Sequence, residues 1–98
     1  MNKGGDDMKT NFQMLREYNH NPKRFGVLMD SEVKKIKEHF QLEKRTDIDL
    51  QNFRDFAVMY YGRTNKGEDD RIDMKSMDAM SAITGVVDMI KWERGMEV

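Results

Sequence analysis

The residues most able to perform acid–base or nucleophilic chemistry are few and scattered. The only histidines are His20, in an Asn-rich turn, and His39, beside Phe40 in a helical pattern, and the chain has no Cys. A Cys nucleophile, a thiolate metal site and a disulfide are therefore excluded, and no HExxH, GxSxG or phosphate-loop motif is present. We interpret both histidines as ordinary surface residues. We predict a non-enzymatic protein with no catalytic, cofactor-binding or metal-binding residues.

One acidic loop could in principle bind a hard cation through Glu68, Asp69, Asp70 and Asp73. Calcium loops place oxygen ligands at alternate positions and end on a Glu at a fixed distance. No such Glu follows here, and Arg71 lies inside the cluster. We therefore expect a solvated loop whose last acids cap the next helix.

Two short segments combine cations with aromatic rings and could bind an anion. The first holds Lys23 and Arg24, and the second holds Tyr61, Arg63 and Lys66. Arg side chains and backbone amides near Gly suit phosphate, and Tyr rings can stack on a base. Neither segment matches a specific motif. Binding of nucleic acid or a nucleotide through these five residues is therefore an alternative function.

Two successive helical patterns joined by a short connection prompt a test for a helix-turn-helix motif. Such a motif places the start of its second helix in the major groove of DNA. In this chain Asp47, Asp49 and Asp55 outnumber Arg54 there, which gives −2 over residues 46–61. Acidic side chains would face phosphates with the wrong sign, so the pattern disfavours this mode of binding.

The chain as a whole has the size of one domain. It has 98 residues and a net charge of −1, so its charge balance points neither to nucleic acid nor to a membrane surface. We predict a flexible tail over 1–9 and a single helical domain over 10–98. The tail lacks the apolar region of a signal peptide, no apolar run is long enough to span a membrane, and the absence of Cys fits a reducing cytoplasm. We therefore expect a cytoplasmic location.

Short helical elements are predicted near the start of the domain. Thr10 and Gln13 have the spacing of a capping box, which predicts a helix over 11–18. Asn21 followed by Pro22 is typical of a helix start and favours a brief helical turn over 22–28.

The helical spacing of apolar residues predicts three longer helices in the rest of the chain. The first begins at Asp30 or Ser31 and ends near 43–45. The second covers 48–61, with Gly62 ending it. The third begins near Asp73 and ends before Gly95. These elements predict an all-α fold. We expect a small bundle of three substantial helices and one or two short N-terminal helices, with the apolar C-terminal helix at its centre.

The last predicted helix is apolar around most of its circumference over 79–90. Such a helix is buried by several neighbours or forms the seam of an oligomer. Gly85 in its middle suggests another helix packed closely against it, within the domain or across an interface. The candidate interface residues are Met77, Met80, Ile83, Gly85, Val87, Ile90 and Trp92.

We therefore expect a small interaction or regulatory protein. It would associate with itself or dock on a partner protein through apolar surface near the last helix. Small, Cys-free, Met-rich and highly charged helical chains are frequent among products of phages and other mobile elements, which is our hypothesis for its origin.

Overall fold

A computed structural model describes residues 9–22, 26–64 and 74–96, with the backbone alone at Thr64. These residues form four α-helices and one short 3-10 helix, and they include no β-sheet. The elements are α1 (Asn11–Glu17), α2 (Asp30–His39), the 3-10 helix (Leu42–Lys44), α3 (Asp47–Thr64) and α4 (Met74–Glu93). The predicted all-α fold is confirmed. Apart from Lys9, the predicted tail lies outside the described residues.

Two helices begin with side-chain caps. At α1 the Gln13 backbone N–H donates to Thr10 Oγ1 at 3.1 Å, and the Thr10 N–H donates to Gln13 Oε1 at 2.9 Å. At α3 the Asp49 N–H donates to Thr46 Oγ1 at 3.1 Å. Each cap satisfies an N–H group that the helix itself leaves without a partner. The capping-box prediction at Thr10 is confirmed.

Helix α2 ends earlier than predicted, at His39. Gln41 adopts a left-handed backbone conformation with φ of 51°, which stops the helix and turns the chain. The turn places Leu42 fully inside the core, and Arg45 Nε donates to the Phe40 carbonyl at 3.0 Å. Burial of Leu42 thus offsets the backbone strain at Gln41. The spacing of apolar residues in the sequence does not show this helix end.

The helical turn predicted over 22–28 lies partly outside the described residues, and Gly26, Val27 and Leu28 are not helical.

Helix α3 differs from prediction at its C-terminal end, because it continues through Gly62 to Thr64. A helical Gly costs only about 1 kcal/mol relative to Ala. The adjacent burial of Tyr61 outweighs that cost and holds the last turn in place.

Helix α4 ends as predicted, just before Gly95. Gly95 has φ of 77°, its N–H donates to the Trp92 carbonyl at 3.0 Å, and the Met96 N–H donates to the Lys91 carbonyl at 2.8 Å. This pair of hydrogen bonds is a Schellman motif, in which the left-handed residue is usually Gly.

The core is formed where α2, α3 and α4 meet, and Met14 and Leu15 of α1 complete it. Its largest fully buried side chains are Phe40, Phe53, Ile36, Leu42, Leu50, Ile83, Val86 and Val87. Helix α4 packs against α2, α3 and the 3-10 helix. Among the described helices, none combines the length and the apolar character that a membrane span requires.

Polar contacts fix α3 and α4 side by side in antiparallel register. Arg54 of α3 donates two hydrogen bonds to Asp88 of α4, at 2.9 and 3.2 Å. One turn further along, Lys91 Nζ donates to Gln51 Oε1 at 2.5 Å. Because Arg54 faces Asp88 and Gln51 faces Lys91, the register of the pair is set by side chains as well as by the core.

Candidate functional site

One face of α4 points into solvent and carries large apolar side chains. It consists of Met74, Met77, Ser81, Gly85, Met89 and Trp92, and we call these six residues the outward face of α4. Their spacing of three and four residues places them on one side of the helix. Met74 is 84% exposed and Trp92 is 76% exposed. Several large exposed apolar side chains on one helix face make this surface a candidate interaction site.

The candidate interface residues predicted from the sequence fall on two different sides of α4. Met77, Gly85 and Trp92 belong to the outward face. Met80 is partly buried against the core. The remaining three residues, Ile83, Val87 and Ile90, are buried within the chain. Their assignment to an interface is wrong, because their apolar surface is already covered by α2 and α3.

Gly85 was expected to face a closely packed helix, within the domain or across an interface. It is exposed, and a Cβ atom added there would meet nothing within 4 Å. Within the part of the chain that the structure describes, no helix approaches Gly85, so the first alternative is wrong. The second alternative, an approach by another chain, stays a prediction.

The alternative nucleotide-binding residues are only partly described. Lys23, Arg24 and Lys66 lie outside the described residues, and Arg63 is exposed near the end of α3. Tyr61 is only 6% exposed and packs edge-on against Tyr60. Its ring face is closed to a base, so the stacking role predicted for Tyr61 is wrong.

A buried polar cluster joins three parts of the fold, and the sequence analysis missed it. Tyr18 and His20 follow α1, Glu32 lies on α2 and Asp78 lies on α4. Tyr18 donates to Glu32 Oε2 at 2.5 Å, and His20 Nδ1 lies 3.0 Å from the same Tyr18 hydroxyl. His20 Nε2 lies 2.6 Å from Asp78 Oδ2. The His20 side chain is 4% exposed, so it is a structural element of the interior rather than the surface residue expected.

His20 lies between two hydrogen-bonding partners. Tyr18 donates its hydroxyl proton to Glu32, so its oxygen is left to interact with His20 Nδ1. On the other side of the ring, Nε2 lies within hydrogen-bond distance of the Asp78 carboxylate. The ring therefore links the Tyr18–Glu32 pair to Asp78, and each polar group of the cluster has a partner.

Burial and hydrogen bonding shift the pKa of Glu32 in opposite directions and the pKa of Tyr18 in the same direction. Burial alone would raise the pKa of Glu32, but the hydrogen bond from Tyr18, the charge of Lys35 and hydrogen bonds from Asn21 outweigh it and lower that pKa. Burial and the hydrogen bond to Glu32 raise the pKa of the Tyr18 hydroxyl. The cluster thus holds Glu32 ionised and Tyr18 protonated.

A cleft of about 280 Å³ opens beside this cluster, between α1, α3 and the first turns of α4. Leu15 and Ala79 line it with apolar surface, and its polar lining residues are Arg16, Tyr18, Asn19, His20, Tyr60, Tyr61, Lys75 and Ser76. The cleft therefore combines cations, hydroxyl groups and an apolar floor. In the described ranges no group of three His, Asp or Glu side chains could hold a metal ion, and the acidic loop at 68–73 lies outside those ranges.

One local signal could have revealed the polar cluster. Glu32 precedes Ile36 and Phe40 by four and eight residues, so it continues the buried stripe of α2. A carboxylate in that position must find partners inside the fold. No local pattern identifies Asp78 as one of them, because it lies 58 residues from His20.

The chain matches no protein-family model, no curated protein and no solved structure, so the geometry of the chain itself is the basis for assigning a function.

Proposed function

We propose that this chain is a small, non-enzymatic interaction protein that associates with a second copy of itself through the outward face of α4. One observation carries the proposal. Met74, Met77 and Trp92 stay exposed on the same face as Gly85, although α4 has ample buried surface on its other side. Covering these side chains stabilises a complex by roughly 25 cal/mol per Å² of apolar surface removed from water.

The shape of the face suits a symmetric pair of helices. Gly85 and Ser81 are small, and nothing lies within 4 Å of the position of a Gly85 Cβ. In an antiparallel pair crossing at Gly85, Met89 of one copy faces Ser81 of the other. Trp92 of one copy then lies near Met77 of the other. Because the pair is two-fold symmetric, the contact between the large Met89 and the small Ser81 occurs twice.

The charges beside the face favour the same arrangement. The six residues of the outward face carry no charge. The acids at its border, Asp78 and Asp88, are engaged by His20 and Arg54 of the same chain. Their negative charge is partly neutralised, which lowers the repulsion between two copies.

In this proposal the protein works by binding and not by catalysis, as a regulatory or scaffolding partner in the cytoplasm. A helix of another protein with small residues at matching positions would compete for the same face. The apolar area of one helix face is small, so we expect weak, concentration-dependent association rather than an obligate dimer.

The test is the molecular mass measured by sedimentation from about 5 to 500 µM, combined with fluorescence of Trp92, the only Trp in the chain. We expect the mass to rise from 11.6 kDa toward twice that value. The Trp92 emission should shift to shorter wavelength over the same range. Gly85→Leu should keep the fold, since the site is open, and abolish the rise in mass because the two helices can no longer approach.

Asn52→Leu is the matched control, because Asn52 is also exposed but lies on α3. It should associate like the wild type. A wild-type chain that stays at 11.6 kDa throughout, or a Gly85→Leu variant that associates as strongly as the wild type, contradicts the proposal.

A further inference from the structure

The cleft between α1, α3 and the start of α4 has the chemistry of a small-anion site. We infer that it binds a small phosphate monoester, with Arg16, Tyr61 and Lys75 as the donors. This site is independent of the proposed self-association, because Lys75, Ser76 and Ala79 line it from a side of α4 other than the outward face.

Two cations line the cleft, and neither forms a salt bridge with an acid of the described part of the chain, although the charge of Arg16 contributes to lowering the pKa of its neighbour Glu17. Arg16 lies in the last turn of α1, with its guanidinium carbon 5.6 Å from the centre of the Phe12 ring. Stacking on a ring leaves guanidinium N–H groups available to an acceptor. Lys75, in the first turn of α4, is exposed. Both side chains line the same cleft, so their positive charge is concentrated in one place.

Tyr61 supplies the independent evidence for a ligand. It is only 6% exposed, it lines the cleft, and its hydroxyl forms no hydrogen bond with the residues that the structure describes. A buried hydroxyl without a partner is uncommon in folded proteins, and a bound group that accepts its hydrogen bond would supply the partner. Burial and the neighbouring Tyr60 raise the pKa of Tyr61 to about 12, so the hydroxyl is a donor at neutral pH.

The arrangement of the donors selects among anions. Arg16, Tyr61 and Lys75 come from three different helices and therefore approach a ligand from different directions. A tetrahedral phosphate presents oxygens in several directions, whereas a carboxylate has two oxygens in one plane.

Two acids of the polar cluster beside the cleft are already engaged by other side chains of the described residues. Asp78 accepts from His20, and Glu32 accepts from Tyr18 and Asn21. The volume of about 280 Å³ lies just below the range of drug-sized sites. It suits one phosphate with a small organic group, which Leu15 and Ala79 would contact.

The test uses phenyl phosphate as the probe, titrated at about 150 mM ionic strength to screen surface charge. Binding is followed by the NMR signals of the Tyr61 ring. We expect saturable shifts at Tyr61, with affinity reduced about tenfold by Arg16→Gln or Lys75→Gln and by a similar factor in Tyr61→Phe. Without ligand, Tyr61→Phe should melt no lower than the wild type, since it removes an unpartnered hydroxyl.

Lys34→Gln is the matched control, because it removes the same charge from an exposed position on α2 outside the cleft. It should change the affinity less than twofold. The inference is overturned if Lys34→Gln weakens binding as much as Lys75→Gln, or if phenyl phosphate leaves the Tyr61 signals unmoved at about 10 mM. Equal or tighter binding of benzoate would overturn the choice of phosphate over carboxylate.

Discussion

Buried polar side chains hold the least predictable part of this molecule together. The His20 ring is flanked by Asp78 and by the Tyr18 hydroxyl, which in turn donates to Glu32. Each group would destabilise the fold if buried alone. Together they satisfy one another and tie the segment after α1 to both α2 and α4. At the scale of residues, specificity of the fold therefore resides in hydrogen bonds as much as in apolar packing.

The tyrosines of this region predict how stability responds to alkaline pH. The pKa of Tyr18 is raised by burial and by its bond to Glu32, and that of Tyr61 is raised by burial to about 12. A group with a raised folded-state pKa stabilises fully below its ordinary value, here 10.0, and loses that contribution as the pH rises toward the folded value. The free energy of unfolding should therefore fall above pH 10.

Urea unfolding between pH 9 and 11.5 measures this dependence. The double variant Tyr18→Phe/Tyr61→Phe should show a shallower decline, since it lacks both raised pKa values. Lysine titration is common to both proteins and cancels in the comparison. Identical slopes for wild type and double variant would show that the two hydroxyls do not cause the alkaline loss.

At the scale of elements, two glycines of the α4 region have opposite roles. Gly85 is exposed in the middle of the helix with open space around it, and Gly95 has φ of 77° in the turn after it. Gly85→Ala should stabilise the monomer by about 1 kcal/mol, because Ala is the better helix former. Gly95→Ala should destabilise by about 1 kcal/mol, because Ala is strained in the left-handed region.

Thermal unfolding at low micromolar concentration, where the chain is a monomer, measures both effects. A melting temperature that rises for Gly85→Ala and falls for Gly95→Ala is expected. If both variants melt lower, Gly85 is in contact with something in the monomer, and the outward face of α4 is not free.

Sequence patterns predicted those elements whose signals are local. Thr10 with Gln13 and the glycine at 95 predicted one helix start and one helix end, because caps act within a few residues. The end of α2 could not be predicted, because burial of Leu42 depends on the assembled core. The sides of α4 were also ambiguous. Ile83 is buried and Met77 is exposed, but both are apolar residues, so residue type alone does not distinguish the two sides of the helix.

At the scale of the whole molecule, polar anchors near both ends of α4 connect distant parts of the chain. Near its start, Asp78 binds His20 from the segment after α1. Past its end, Arg94 donates to Asp47 Oδ1 at 3.0 Å and to the carbonyls of Arg45 and Glu43 at 2.8 and 3.1 Å. A helix of 20 residues is about 30 Å long, so the anchors act on opposite ends of the bundle.

Because the His20 and Arg94 contacts lie at opposite ends of α4, we expect loss of either one to promote local unfolding at its own end of the bundle. Helix α1 has only seven residues, too few to be stable alone, so its order depends on His39, which donates to the Met14 carbonyl at 2.7 Å, and on the His20 cluster. His20→Ala removes the ring that bridges Asp78 and the Tyr18 hydroxyl, leaves partly buried polar groups without that partner, and should destabilise the fold by about 2–4 kcal/mol. Arg94→Ala removes partly exposed contacts and should cost about 1 kcal/mol.

Hydrogen exchange of backbone amides distinguishes the two anchors by location. In His20→Ala, exchange should accelerate most in α1 and the residues up to Asn21, because this end loses its tie to α4. In Arg94→Ala, it should accelerate in the last turn of α4 and around the 3-10 helix, leaving α1 at the wild-type rate. If either variant accelerates exchange uniformly, the bundle opens only as one cooperative unit, and the anchors contribute to global stability without dividing the fold into regions.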